Sequence, residues 1–137
     1  MFDKNELKRL NEERDKIIDH EFLLDRAWKN TINYICKDDV TFDGFVGYMK
    51  TEMTKDEYLN LSEISNDLSG IHPSLEFVEA YKSLEKKYPK ETIDWKIAPF
   101  IKDAEFVVKH FLKDDEMRIK HLKKWFDDDP DFIKPYI

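Results

Sequence analysis

The chain reads as an all-α, single-domain protein, and three features of its sequence say so. Glycine is scarce, with only Gly44, Gly47 and Gly70, and no alternating β-branched run bounded by turn residues marks a strand or hairpin. Apolar side chains instead recur at three- and four-residue spacing over most of the length. At 137 residues the chain has the common size of one domain. No internal repeat or long linker divides it, so 1–137 reads as one compact unit of six or seven helices, an irregular bundle of antiparallel helix pairs.

Asp3 followed by Glu6 is an N-terminal capping pair. From there Leu7, Leu10, Ile17, Ile18, Leu24, Trp28, Ile32 and Ile35 form a helical stripe over 4–36. It thins at Asp19, His20 and Glu21, where a break is the alternative to one long helix. The second half, "EFLLDRAWKNTINYI", is expected to be the most buried helix of the fold. "CKDDVTFDG" then reads as a connection, followed by a short helix from near Asp43 that carries Phe45, Val46, Tyr48, Met49 and Met53.

Thr54 and Glu57 make a capping box. The helix it opens buries Tyr58, Leu61, Ile64 and Leu68 and ends at Gly70, placed where a left-handed residue closes a helix. Pro73 suits the first turn of the next helix, whose inner stripe is Leu75, Val78, Tyr81 and Leu84 or Tyr88. Pro89 stops it, and the short intervening turn implies an antiparallel pair. A short helix in "KETIDWKIA" precedes one opened by Pro99, with Phe100, Ala104, Val107, Val108 and Phe111 inward. The final helix, near 115–126, carries Met117, Ile119, Leu122, Trp125 and Phe126.

Composition narrows the functional classes. Thirty Asp and Glu against 23 Lys and Arg give a net charge of −7, which opposes binding to a phosphate backbone and favours encounter with a basic protein. Cys36 is the only cysteine, so an intrachain disulfide and a multi-thiolate zinc site are excluded. The N-terminus resembles neither a secretory leader nor a transit peptide, and no apolar run approaches the roughly 20 residues of a membrane span. A cytoplasmic location is expected, with no membrane and no direct nucleic-acid partner.

No catalytic motif emerges. The three glycines form no phosphate loop, dinucleotide fingerprint or nucleophile elbow. "HEFLL" places Leu24 where a zinc protease needs its second histidine. His110 and His121 are separated by a helix break at Asp114, and His72 is placed to help cap the helix that follows it. Two carboxylate pairs stand apart: Glu76 with Glu79, and Glu91 with Asp94, each at i,i+3, where they could hold magnesium. They resemble the pattern of the all-α nucleotide pyrophosphatases, a resemblance that implies a metal-dependent hydrolase. A chain this acidic produces about six such pairs by chance.

Interaction is therefore the leading reading: an inhibitor, immunity or regulatory protein that masks a basic surface on its partner, needing no cofactor and no metal. The C-terminal aspartates bear on it. Negative charge is unfavourable at a helix C-terminus, so the last long helix should stop near Phe126. Asp129 then caps a new turn, with Pro130 first and Asp131 beside it, letting Phe132 and Ile133 fold back. Asp127 and Asp128 have no such role and are the partner-binding candidates. Replacing both with asparagine leaves the melting temperature nearly unchanged in thermal denaturation; a marked fall would assign them to the architecture instead.

Overall fold

A computed structural model describes every residue except Ile18 and Asp128, and every side chain apart from those two, Glu21 and Phe22. Among the described residues there are nine helices and no strand: α1 Lys4–Lys16, α2 Glu21–Ile35, α3 Asp39–Thr51, α4 Lys55–Ile71, α5 Leu75–Lys87, α6 Pro89–Asp94, α7 Ala98–Lys113, α8 Asp115–Trp125 and α9 Pro130–Ile133. A 3₁₀ turn, Lys134–Tyr136, follows. The count exceeds six or seven because the first stripe divides into α1 and α2 and because two short helices, α6 and α9, complete their turns.

α4 lies at the centre, and it displaces α2 as the most buried helix. Its capping box forms as expected: Glu57 N–H donates to Thr54 Oγ1 at 3.2 Å and Thr54 N–H to Glu57 Oε1 at 3.0 Å. Two of its faces are buried. One carries Leu61, Ile64, Leu68 and Ile71; the other carries Tyr58, Ser62, Ser65 and Ser69. The serine hydroxyls donate back to carbonyls one turn earlier, Ser62 to Leu59 and Ser69 to Ser65, so burial leaves them satisfied. Small side chains let neighbours approach closely, and α7 is the helix that packs most extensively on α4.

The expected antiparallel pairing of α4 with α5 is replaced by another arrangement. α5 packs chiefly on α3 and α7 and reaches α4 through a long side chain: Tyr81 donates to Ser65 Oγ and meets Tyr58 edge-on. Ser74 caps α5 by accepting from Phe77 N–H, which leaves Pro73 outside the helix. The inner stripe becomes Phe77, Val78, Ala80, Tyr81 and Leu84, and Leu75 faces solvent. Tyrosines fasten the remaining pieces. Tyr58 shares a hydrogen bond with Thr92 of α6 at 2.6 Å, and Tyr88 donates to Met53 O at 2.7 Å.

α1 is tied to this centre by charge. The buried Arg14 guanidinium grips Glu63 of α4 with two N–H groups, one at 2.8 Å, and holds Asp15 with a third. Trp28 of α2 donates to the same Glu63 carboxylate at 2.8 Å. Position 14 therefore belongs to the inner face of α1 beside Leu7 and Leu10, a place where an arginine survives because each of its three guanidinium nitrogens donates to a carboxylate.

Two boundaries differ from expectation for local reasons. α3 begins at Asp39 rather than near Asp43, because Asp38 accepts from Thr41 N–H at 2.7 Å and starts the helix a turn earlier. Gly44 lies within it, where an added Cβ would come 2.4 Å from Phe2 Cβ. At the other boundary α4 runs through Gly70 to Ile71, and no glycine has positive φ. A Cβ at position 70 would make ordinary 3.8 Å contacts with Phe111, His121 and Leu122. Gly70→Ala is expected to raise stability by about 1 kcal/mol, the helix-propensity difference, measured by urea unfolding; a left-handed cap would give a loss instead.

Candidate functional site

The C-terminal aspartates part company in the structure. Asp129 caps α9, accepting from Phe132 N–H at 3.3 Å, and pairs with Lys29 of α2 at 3.1 Å. The Lys29 hydrogen bond holds its carboxyl below the usual range. Asp131 lies in the first turn of α9 and pairs with Lys134, while Phe132 and Ile133 are buried. Asp127 is exposed just beyond α8, and Asp128 lies outside the described residues.

The carboxylate pairs do not assemble. Glu76, Glu79 and Asp94 are exposed, Glu91 is half-buried, and among the described residues no three His, Cys, Asp or Glu side chains are grouped to hold a metal ion. Cys36 is buried, and that burial pushes its thiol far above the range in which thiolate chemistry occurs. His72 does not cap α5. It closes α4, stacks on Phe42 at 3.9 Å and reaches Asp39 at 3.1 Å.

The largest departure from the sequence reading lies on α7 and α8. Ile101, Ala104, Val108 and Phe111 point inward, and this phase turns Phe106 outward, 73% exposed, with Phe100 partly exposed as well. In α8, Leu122 is buried and Phe126 is buried just beyond it, whereas Met117 is partly exposed and Trp125 is 65% exposed. A chain of ring contacts, the aromatic ridge, crosses both helices, exposed at Phe106, His110, His121 and Trp125 and joined through the buried Phe111. Phe106 stacks on His110 at 6.1 Å, His110 meets Phe111, Phe111 meets His121 at 5.3 Å, and His121 stacks on Trp125 at 5.8 Å. Burial, with the Lys124 charge adding to it, holds His121 below its ordinary value, which keeps that end of the ridge uncharged at neutral pH.

The Trp125 indole lies near an acid of α4. Asp67, on α4, is pushed up to about 6 by burial; the nearby Trp125 indole works the other way, and the Asp25 charge adds to the rise. The electrostatics of the ridge also differ from the rest of the molecule. Residues 98–125 carry seven cationic and five acidic side chains, a balance of +2, while the remainder carries sixteen against twenty-five, or −9. Charge is thus segregated between this helix pair and the body.

A second feature lies on the body, where α1 meets the start of α4. A groove of about 260 Å³ is lined by Lys8, Asn11, Glu12, Asp56, Glu57 and Asn60, among others. Glu57 is only 8% exposed. Its Oε1 accepts from Tyr48 Oη at 2.7 Å and from the capping N–H of Thr54, while its Oε2 has no hydrogen-bond partner. Leaving a buried acceptor unsatisfied costs about 1–3 kcal/mol. Lys8 Nζ is the closest cation, at 3.7 Å, and donates to Tyr48 Oη instead. Asn11, Glu57 and Asn60 also line, with Arg14, a smaller half-open cavity of about 20 Å³, room for one water.

No protein-family model, curated protein or solved structure matches this chain. The site must be read from its own chemistry. Asp67 offers a direct check on the footing of the ridge. Its folded value of about 6 lies above the ordinary 3.8, so the native state binds a proton more tightly than the unfolded chain, and its contribution falls as pH rises from 4 to above 6. Asp67→Asn, which keeps an acceptor for the indole, is expected to stabilise the protein at pH 8 by roughly 2–3 kcal/mol. The gain should shrink toward pH 4 in a denaturation series; a pH-independent difference would contradict the assignment.

Proposed function

We propose that this chain is a protein-interaction domain that masks a surface of a basic partner protein, in the manner of an inhibitor, an immunity protein or a small regulator. The observation that carries the reading is the ridge from Phe106 to Trp125. Exposed aromatic side chains of this size are the usual anchors of protein interfaces, and Phe106 and Trp125 are each stacked on an exposed histidine ring of the same two-helix surface.

The charge pattern supports a division of labour. The −9 balance of the body attracts a basic protein and speeds encounter, while the ridge supplies the short-range contacts that hold it. Within the footprint, the +2 balance of α7 and α8 suits a neutral or acidic patch on the partner. Asp127, two residues beyond Trp125 and exposed, extends the acidic field to the end of the ridge; Asp128 is proposed with it on sequence grounds alone. No helix among the described residues is long and apolar enough to cross a membrane. The single buried thiol suits a reducing compartment, and we place the domain in the cytoplasm on that basis.

The test is affinity capture with the wild-type chain beside a Phe106→Ala/Trp125→Ala double variant, at low and high salt. Both replaced side chains are exposed, so the variant keeps its fold. A specific partner is retained by the wild type and lost from the double variant, and salt slows its association. Equal recovery on both baits would remove the ridge from the interface.

A further inference from the structure

We infer that the groove between α1 and the start of α4 is a binding site for a guanidinium group, supplied by an arginine side chain of a basic polypeptide. The starting observation is Glu57 Oε2. The capping role of this glutamate uses Oε1 alone, which accepts from both Tyr48 Oη and Thr54 N–H. Those two bonds fix the carboxylate and leave the second oxygen buried with no donor. A carboxylate so held is a preformed acceptor, and its missing partner is an N–H group.

The surroundings define which N–H group. Asn11 and Asn60 line both the groove and the smaller cavity, together with Glu57, and an amide side chain can turn its carbonyl toward an entering donor. Glu12 and Asp56 lie on the groove wall, and the field there is acidic. A planar guanidinium carries five donors in a fixed fork and suits several acceptors spread around it; an ammonium presents a compact point charge. The volume of about 260 Å³ lies below the roughly 300–1,000 Å³ of sites that enclose whole small molecules, and it suits one inserted side chain.

Lys8 shows how the site is closed in the free protein. Its ammonium stands 3.7 Å from Glu57 Oε2, too far for a hydrogen bond, and its side chain is 45% exposed. It supplies charge balance without saturating the oxygen. An entering guanidinium takes that place with shorter, directed bonds, so Lys8 competes with the ligand and its removal strengthens binding.

The inference rests on the basic-partner reading for the source of the arginine, yet its test addresses the groove alone. The probe is a blocked Gly-Arg-Gly peptide titrated into the full chain, followed by the side-chain amide resonances of Asn11 and Asn60. Its counterparts are the neutral citrulline peptide, the lysine peptide and free arginine. Saturable shifts are expected with the arginine peptide, weaker ones with lysine and with free arginine, which lacks the flanking peptide groups, and none with citrulline. Glu57→Gln keeps the capping box, because glutamine serves at that position, and should weaken binding about tenfold by replacing the free oxygen with a donor. Lys8→Met should tighten it several-fold.

Absence of shifts, equal shifts with citrulline or lysine, no loss in Glu57→Gln, or no gain in Lys8→Met would each overturn the assignment. Free arginine binding as tightly as the peptide would overturn the polypeptide source. The Phe106→Ala/Trp125→Ala variant should bind the peptide unchanged, which separates the groove from the ridge. Failure of the titration leaves partner capture by the ridge standing, and failure of capture leaves the groove standing.

Discussion

The fold depends on a helix that must be buried on two faces at once. α4 is 17 residues long, about 25 Å, and the other long helices are arranged around it. Double burial is tolerable because one face is built from serines whose hydroxyls return to their own helix, so those hydroxyls are not stranded and neighbouring backbones can come close. The opposite face offers Leu61, Ile64, Leu68 and Ile71 to the cluster containing Leu7, Ile32, Ile35 and Phe45. Each face then fixes the rotation of the helices that cover it. That rotation decides which side chains of α7 and α8 remain outside.

The exposed ridge is a geometric result of this packing. Once Ile101, Ala104, Val108 and Phe111 face inward, helical periodicity places Phe106 and His110 on the opposite side, and the burial of Leu122 and Phe126 does the same for Trp125. Asp67, held in an unfavourable buried position, lies near Trp125. Glu57 and Asp67 lie ten residues apart on one helix, about 15 Å. α4 thus carries the floor of the acidic groove near one end and the footing of the ridge near the other, and the two surfaces share a rigid support while differing in charge and chemistry.

Charge segregation makes sense of an ambiguity in the composition. A net charge of −7 points to a basic partner, but it averages over a +2 helix pair and a −9 body. The long-range field and the short-range contacts therefore need not have the same sign. Field lines from the body act over a Debye length of about 8–10 Å, whereas aromatic contacts act only on touching. A partner can be steered by one region and held by another.

Much of the architecture was legible along the chain. The scarcity of glycine and the recurring three- and four-residue spacing determined an all-helical fold, and Thr54 with Glu57, Asp129 with Pro130, and the thinning at residues 19–21 marked real boundaries, because caps and breaks are set by neighbours a turn away. The start of α3 was also local, in Asp38 and Thr41, but was hidden among polar residues that resemble a loop. Other features had no local signature. Whether Leu75 or Phe77, Phe100 or Ile101 faces the core depends on a rotation of roughly 100° per residue that only a packed neighbour can choose. Arg14 reads as a surface cation until Glu63 and Trp28 arrive from helices distant in sequence. Gly70 reads as a cap until Phe111, His121 and Leu122 are seen beside it. By itself the sequence determined which segments are helical and that the chain is acidic. Tertiary structure alone decided which apolar side chains the core could not accommodate, and which oxygen of Glu57 was left without a donor, since both follow from contacts between segments that no spacing rule connects.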